Sequence, residues 1–114
     1  MEILVLDDDA NRHRAFVRGL LNHNVTIVVT AAEAIAALKR KDWDVVFLDH
    51  DLKGVVEESG PGTGYEVAEW LAQNPDQQPR QIFIHTFNPS GGLKMRQALP
   101  GAEYRPGVWA DLDK

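Results

Sequence analysis

Short apolar runs that stop abruptly at acids or histidines constrain this chain most. Ile3-Leu4-Val5-Leu6 ends at Asp7-Asp8-Asp9, Val45-Val46-Phe47-Leu48 at Asp49-His50-Asp51, and Ile82-Phe83-Ile84 at His85-Thr86. Brief, β-branched and unbroken runs of this kind read as strands buried on both faces of a parallel sheet. Between them lie segments of helical character. Asp8 or Asp9 can cap a first helix whose stripe is Phe16, Val17, Leu20 and Leu21. Val25 to Val29 reads as the second strand. Thr30-Ala31-Ala32-Glu33 has the form of a capping box, and the helix behind it turns Ile35 and Leu38 inward. Thr63-Gly64 opens a third helix carrying Val67 and Leu71, which Asn74-Pro75 ends. Asn88-Pro89 opens a fourth, running to about Leu99. Ala102 to Arg105 reads as a short fifth strand, and residues 107–114 are too few for a full helix.

Strand and helix alternating at this spacing predict right-handed βαβ units, and so one five-stranded parallel α/β sheet in a single domain over residues 1–114. The composition narrows the function classes. A net charge of −5 argues against an extended nucleic-acid surface. With no cysteine, disulfides, zinc–thiolate sites and thiol nucleophiles are excluded. No basic leader and no long apolar run is visible, so the expectation is a cytoplasmic protein without a membrane segment.

In a parallel sheet these strand ends share one edge, where ligands of open α/β sheets bind. Asp7, Asp8, Asp9, Asp49, His50, Asp51, His85, Thr86 and Asn88 are therefore expected to converge there. Clustered carboxylates call for a proton or a cation. Hard oxygen ligands suit Mg²⁺, with Mn²⁺ close behind, and leave positions open for phosphate oxygens. Thr86 is expected to hydrogen-bond phosphate, the Asn88 helix to add N–H donors, and Arg105 to add a cation. Arg12, Arg14 and Arg18 read as a wet helix face, and His13 and His23 as surface residues.

The segments Leu4–Asp9, Val45–Asp49 and Gly64-Tyr65-Glu66-Val67-Ala68 resemble, in order over about residues 1–106, the receiver domain of bacterial response regulators. The resemblance implies a flavodoxin-like fold, Mg²⁺ held by Asp7 and Asp8 (or Asp8 and Asp9), phosphate accepted by Asp49, and a metal contact from the backbone carbonyl of Asp51. It maps the family's Ser/Thr after strand four to Thr86. Four features depart from that pattern. Arg105-Pro106 replaces a lysine before proline, two histidines, His50 and His85, enter the pocket, the loop after Asp49 is long, and the fifth helix is truncated or missing. The last departure would leave a face beside helix one for a second copy or a partner protein.

Asp49-His50-Asp51-Leu52 and His85 to Gly91 are similar to a divergent branch, the cyclic-phosphate-processing receiver-like domains. That similarity implies a metal-dependent phosphoesterase acting on a phosphate-bearing small molecule or nucleotide. Asp49, His50 and His85 would be catalytic, Thr86, Asn88 and Arg105 phosphate-binding, and Asp7, Asp8, Asp49 and Asp51 metal-binding. The alternatives are a signalling receiver phosphorylated on Asp49 and a non-catalytic module that captures a phosphorylated ligand.

Overall fold

A computed structural model describes residues 1–52, 62–86 and 88–105. In chain order the elements are β1 (Glu2–Leu6), α1 (Ala10–Gly19), β2 (Asn24–Val28), α2 (Ala31–Arg40), β3 (Val45–Leu48), α3 (Gly64–Gln73), β4 (Gln81–Ile84), α4 (Pro89–Ala98) and β5 (Glu103–Tyr104). The five strands are all parallel, in the order β2-β1-β3-β4-β5. This is the expected doubly wound architecture. The sequence order reverses beside β1, so the ends of β1 and β3 flank the crevice where such folds place ligands.

Local chemistry sets the helix starts. Asp9 caps α1, its Oδ1 accepting from the Asn11 N–H at 2.8 Å and the Arg12 N–H at 3.0 Å. Thr30 and Glu33 form the expected reciprocal capping box on α2. Asn88 caps α4, with Pro89 at the first helical position.

The sheet buries two apolar layers. Leu4, Leu6, Val46, Leu48 and Ile84 face Leu38, Val67, Leu71 and Met95 on one side. Ile3, Val5, Val45, Phe47 and Phe83 pack with Phe16 and Leu20 on the other. Alternate strand residues feed opposite layers, as the pleat requires. The expected stripe of α1 needs correcting, because Val17 and Leu21 are exposed. Phe16 and Leu20 lie one helical turn apart and share a face. Val17 is rotated about 100° from Phe16, and Leu21 lies past the helix end at Gly19. The long loop after Asp49 (residues 53–61) and the truncated fifth helix (residues 106–114) lie outside the described residues.

Candidate functional site

Three of the expected residues meet at the strand ends. Asp7 from the end of β1, Asp49 from the end of β3 and His85 from the end of β4 are all buried. Each offers one ligand-type atom, and these atoms lie within 4.8 Å of one another. His85 Nε2 donates to Asp7 Oδ2 at 2.8 Å. Among the described residues its Nδ1 is buried without a hydrogen-bond partner, and the ring stands edge-on to Phe16.

The sequence reading missed the residue that binds this cluster together. Arg12 is not a wet helix residue. Its Nε–H donates to Asp7 Oδ2 at 2.6 Å, and its Nη2 donates to Asp7 Oδ1 at 2.9 Å and to Asp49 Oδ2 at 3.2 Å. The signal was present. A cap at Asp9 makes Arg12 the third helical residue, and that turn faces back over the strand it follows. His13 also differs from expectation, since its Nε2 hydrogen-bonds the Asp7 carbonyl and the ring is half-buried.

Electrostatics separate the two acids. Burial pushes the Asp7 carboxyl upward, but hydrogen bonds from His85 and Arg12 outweigh it and hold the group well below the usual carboxylate range. At Asp49 burial dominates and the neighbouring Asp7 charge adds to it, so its carboxyl is raised despite His85 and Arg12. Arg12 is raised in turn, chiefly by its bonds to Asp7.

The turn after β3 is clamped between two helix starts. The Gly64 N–H donates to the His50 carbonyl at 2.9 Å, and a Cβ on Gly64 would lie 1.8 Å from the Asp49 carbonyl oxygen. A Cβ on Gly91 would lie 2.5 Å from the His50 ring. At Gly64 only glycine permits the approach, because the near atoms are backbone, whereas at Gly91 they belong to the His50 ring. Beneath Gly91 the His50 imidazole is fully buried, with Nδ1 2.6 Å from Asp51 Oδ1. Asn88 Nδ2 donates to the same Asp51 oxygen at 3.1 Å. The Asp49 Oδ1 accepts from the His50 N–H at 2.8 Å. Thr86 is buried and its Oγ1 accepts from the Asn88 N–H at 3.1 Å, while Tyr104 donates to the Thr86 carbonyl at 3.0 Å.

The remaining expected residues do not join the Asp7–Asp49–His85 group. Asp8 is half-buried and offers no atom to the group of Asp7, Asp49 and His85 ligand atoms within 4.8 Å of one another. The Asp51 carboxylate turns to His50 and Asn88. Arg105 pairs with Glu103 and lies over the Phe83 ring, 4.8 Å from its centroid. Arg105 directly follows β5, the two-residue strand at the sheet edge.

The family of cyclic-phosphate processing receiver domains matches residues 2–101. The chain belongs to this family. Response-regulator receivers share its fold. The phosphorylated cyanobacterial phytochrome response regulator RcpA superposes with a TM-score of 0.75 at 19% identity, over 92% of this chain and 79% of that one. The Mn²⁺-bound response regulator Rcp1 gives 0.71 at 19%, over 91% and 78%. TrrA from Thermotoga maritima, in complex with Mg²⁺ and BeF, gives 0.74 at 20%, over 99% and 92%. No curated protein matches the sequence. Among the described residues of this receiver domain, no helix is long and apolar enough to cross a membrane.

Proposed function

We propose that the strand-end pocket carries out metal-assisted phosphoryl chemistry, opening a cyclic phosphate on a nucleotide or similar small molecule. The observation that carries this reading is a pair of carboxylate-backed imidazoles, Asp7–His85 and Asp51–His50, beside the buried Asp49. A carboxylate on one ring nitrogen fixes the tautomer and stabilises the imidazolium, which suits a histidine to proton transfer.

The donor set fits a divalent cation. The Asp7 and Asp49 carboxylates belong to a cluster only 4.8 Å across, and such hard oxygen donors suit Mg²⁺ or Mn²⁺. The Mn²⁺-bound Rcp1 and the TrrA complex with Mg²⁺ and BeF support a divalent cation in a protein of this fold. Asp7 and Asp49 would hold it, and when bound it would supply Lewis-acid polarisation of a phosphoryl oxygen. The chain's own residues do the rest. Thr86 and Asn88 orient the phosphate. One imidazole takes a proton from the attacking water and the other returns one to the ester oxygen that leaves, so a P–O bond forms and the ring P–O bond breaks.

The test is phosphorus NMR of the protein with Mn²⁺ and a 2′,3′-cyclic nucleotide. The reading expects a phosphomonoester, lost in Asp49→Ala and reduced about a hundredfold or more in His50→Gln and His85→Gln. Unchanged turnover in both histidine variants would remove the proton-transfer roles. A second reading rests on Asp49 itself, at the end of β3 in a receiver fold. There Asp49 accepts a phosphoryl group and signals through a partner. It expects a labile acyl phosphate from acetyl phosphate and no ring opening.

A further inference from the structure

Arg12 already bonds three of the four carboxylate oxygens that Asp7 and Asp49 would offer a cation. A guanidinium has five N–H donors. Nε–H and Nη2 supply the bonds to both Asp7 oxygens and to Asp49. Nη1 makes no hydrogen bond among the described residues. It lies 3.9 Å from Asp9 Oδ2, close enough for charge attraction but too far for a hydrogen bond. The Arg12 side chain is 27% exposed, whereas those of Asp7 and Asp49 are buried, so the guanidinium lies on the solvent side of the acids it bridges.

A divalent ion and this guanidinium compete for the same two carboxylates, and two cations crowded against a cluster only 4.8 Å across repel each other. We infer that Arg12 is an exchangeable internal cation, which bridges Asp7 and Asp49 in the metal-free protein and is released to a phosphoryl oxygen of the ligand when a divalent ion takes those oxygens. The inference rests on the metal reading above. Arginine suits both positions, because its planar fork matches carboxylate and phosphate alike. Release carries two linked consequences. Arg12 weakens metal binding in the absence of phosphate. Metal and phosphate then bind with positive coupling, which is reciprocal by linkage.

The experiment is Mn²⁺ titration, read by the electron paramagnetic resonance of free Mn²⁺, on the wild type, Arg12→Gln and Arg12→Lys. Without phosphate, Arg12→Gln is expected to bind Mn²⁺ at least about tenfold more tightly than wild type, since hydrogen bonds to charged groups no longer compete. Arg12→Lys should fall between, because an ammonium cannot fork across both acids. With Mn²⁺ saturating, inorganic phosphate should bind about tenfold more weakly to Arg12→Gln than to wild type. Amide spectra check that each variant is folded. If Arg12→Gln is too unstable to titrate, thermal unfolding replaces the titration, and Mn²⁺ should raise its midpoint more than that of wild type. Equal or weaker Mn²⁺ binding by folded Arg12→Gln, or an equal or smaller midpoint rise, overturns the exchange while the metal reading stands. No Mn²⁺ binding by either protein overturns the metal reading and the exchange with it.

Discussion

At the end of β1 the pocket is held by charge, and at the end of β3 by the absence of side chains. Asp7 sits between an arginine and a histidine, each donating to it at 2.6–2.9 Å. The Asp49–Asp51 turn is instead fixed from outside, by two helices whose glycines come against its backbone and against His50. The first arrangement is electrostatic, so it responds to pH and to ions. The second is steric, so the position of its backbone does not, although the Asp49 carboxyl it carries still titrates. The pocket therefore has a rigid wall carrying Asp49 and an ionic wall carrying Asp7, and substitutions should sort accordingly.

The largest effect is expected at the rigid wall. Gly64→Ala places a methyl into the Asp49 carbonyl, and backbone cannot yield as a side chain can. We expect a loss of about 4 kcal/mol or failure to fold, read by chemical denaturation. Next is the ionic wall. Asp7→Asn leaves Arg12 and His85 without their carboxylate, for a loss of about 3 kcal/mol at neutral pH. The pH dependence identifies the cause. A depressed folded-state pKa contributes stability above the unfolded value of about 3.9 and loses it as pH falls. The Asp7→Asn deficit should therefore shrink on acidification, while any Gly64→Ala deficit should stay constant.

Gly91→Ala is expected to cost about 2 kcal/mol, because an imidazole can shift where a carbonyl cannot. A double-mutant cycle with His50→Ala should recover most of that loss. Purely additive effects would mean that the Gly91–His50 contact does not set the turn. Asp49→Asn should have the opposite sign to Asp7→Asn. A raised folded-state pKa means that stability is lost as pH rises from the unfolded value through the folded one. The variant should accordingly be more stable than wild type at neutral pH, with the gain vanishing toward acid. The smallest effect belongs to Val17→Ser and Leu21→Ser. Both positions are exposed, and changes there should stay within about 0.5 kcal/mol.

The two walls also differ in how far the sequence foretold them. The strands, the Thr30–Glu33 box and the Asn88 cap were legible because each is a local pattern with a local cause. The convergence of Asp7, Asp49 and His85 followed from the parallel sheet alone, since strand order puts those ends on one edge. Arg12 was hidden because charges on a surface helix are commonplace, and only the position of the cap turns this one back over the acids. The burial of His50 under Gly91 was not legible at all. It depends on how closely α4 approaches β3, a distance set by packing between elements far apart in sequence. The exposure of Val17 and Leu21 was a matter of helix phase and of where α1 ends.

The central claim is that a phosphate ligand meets the molecule at the junction of these two walls. Amide chemical-shift mapping with a 2′,3′-cyclic nucleotide in the presence of Mg²⁺ tests it most directly, since diamagnetic Mg²⁺ leaves the spectrum readable. The account predicts saturable shifts at Asp7 to Arg12, Asp49 to Asp51 and Thr86 to Gly92, all lost in Asp49→Ala. Shifts confined to the outer face of α1 around Val17 and Leu21, or to the groove between Ala72 and Ala98, would contradict it.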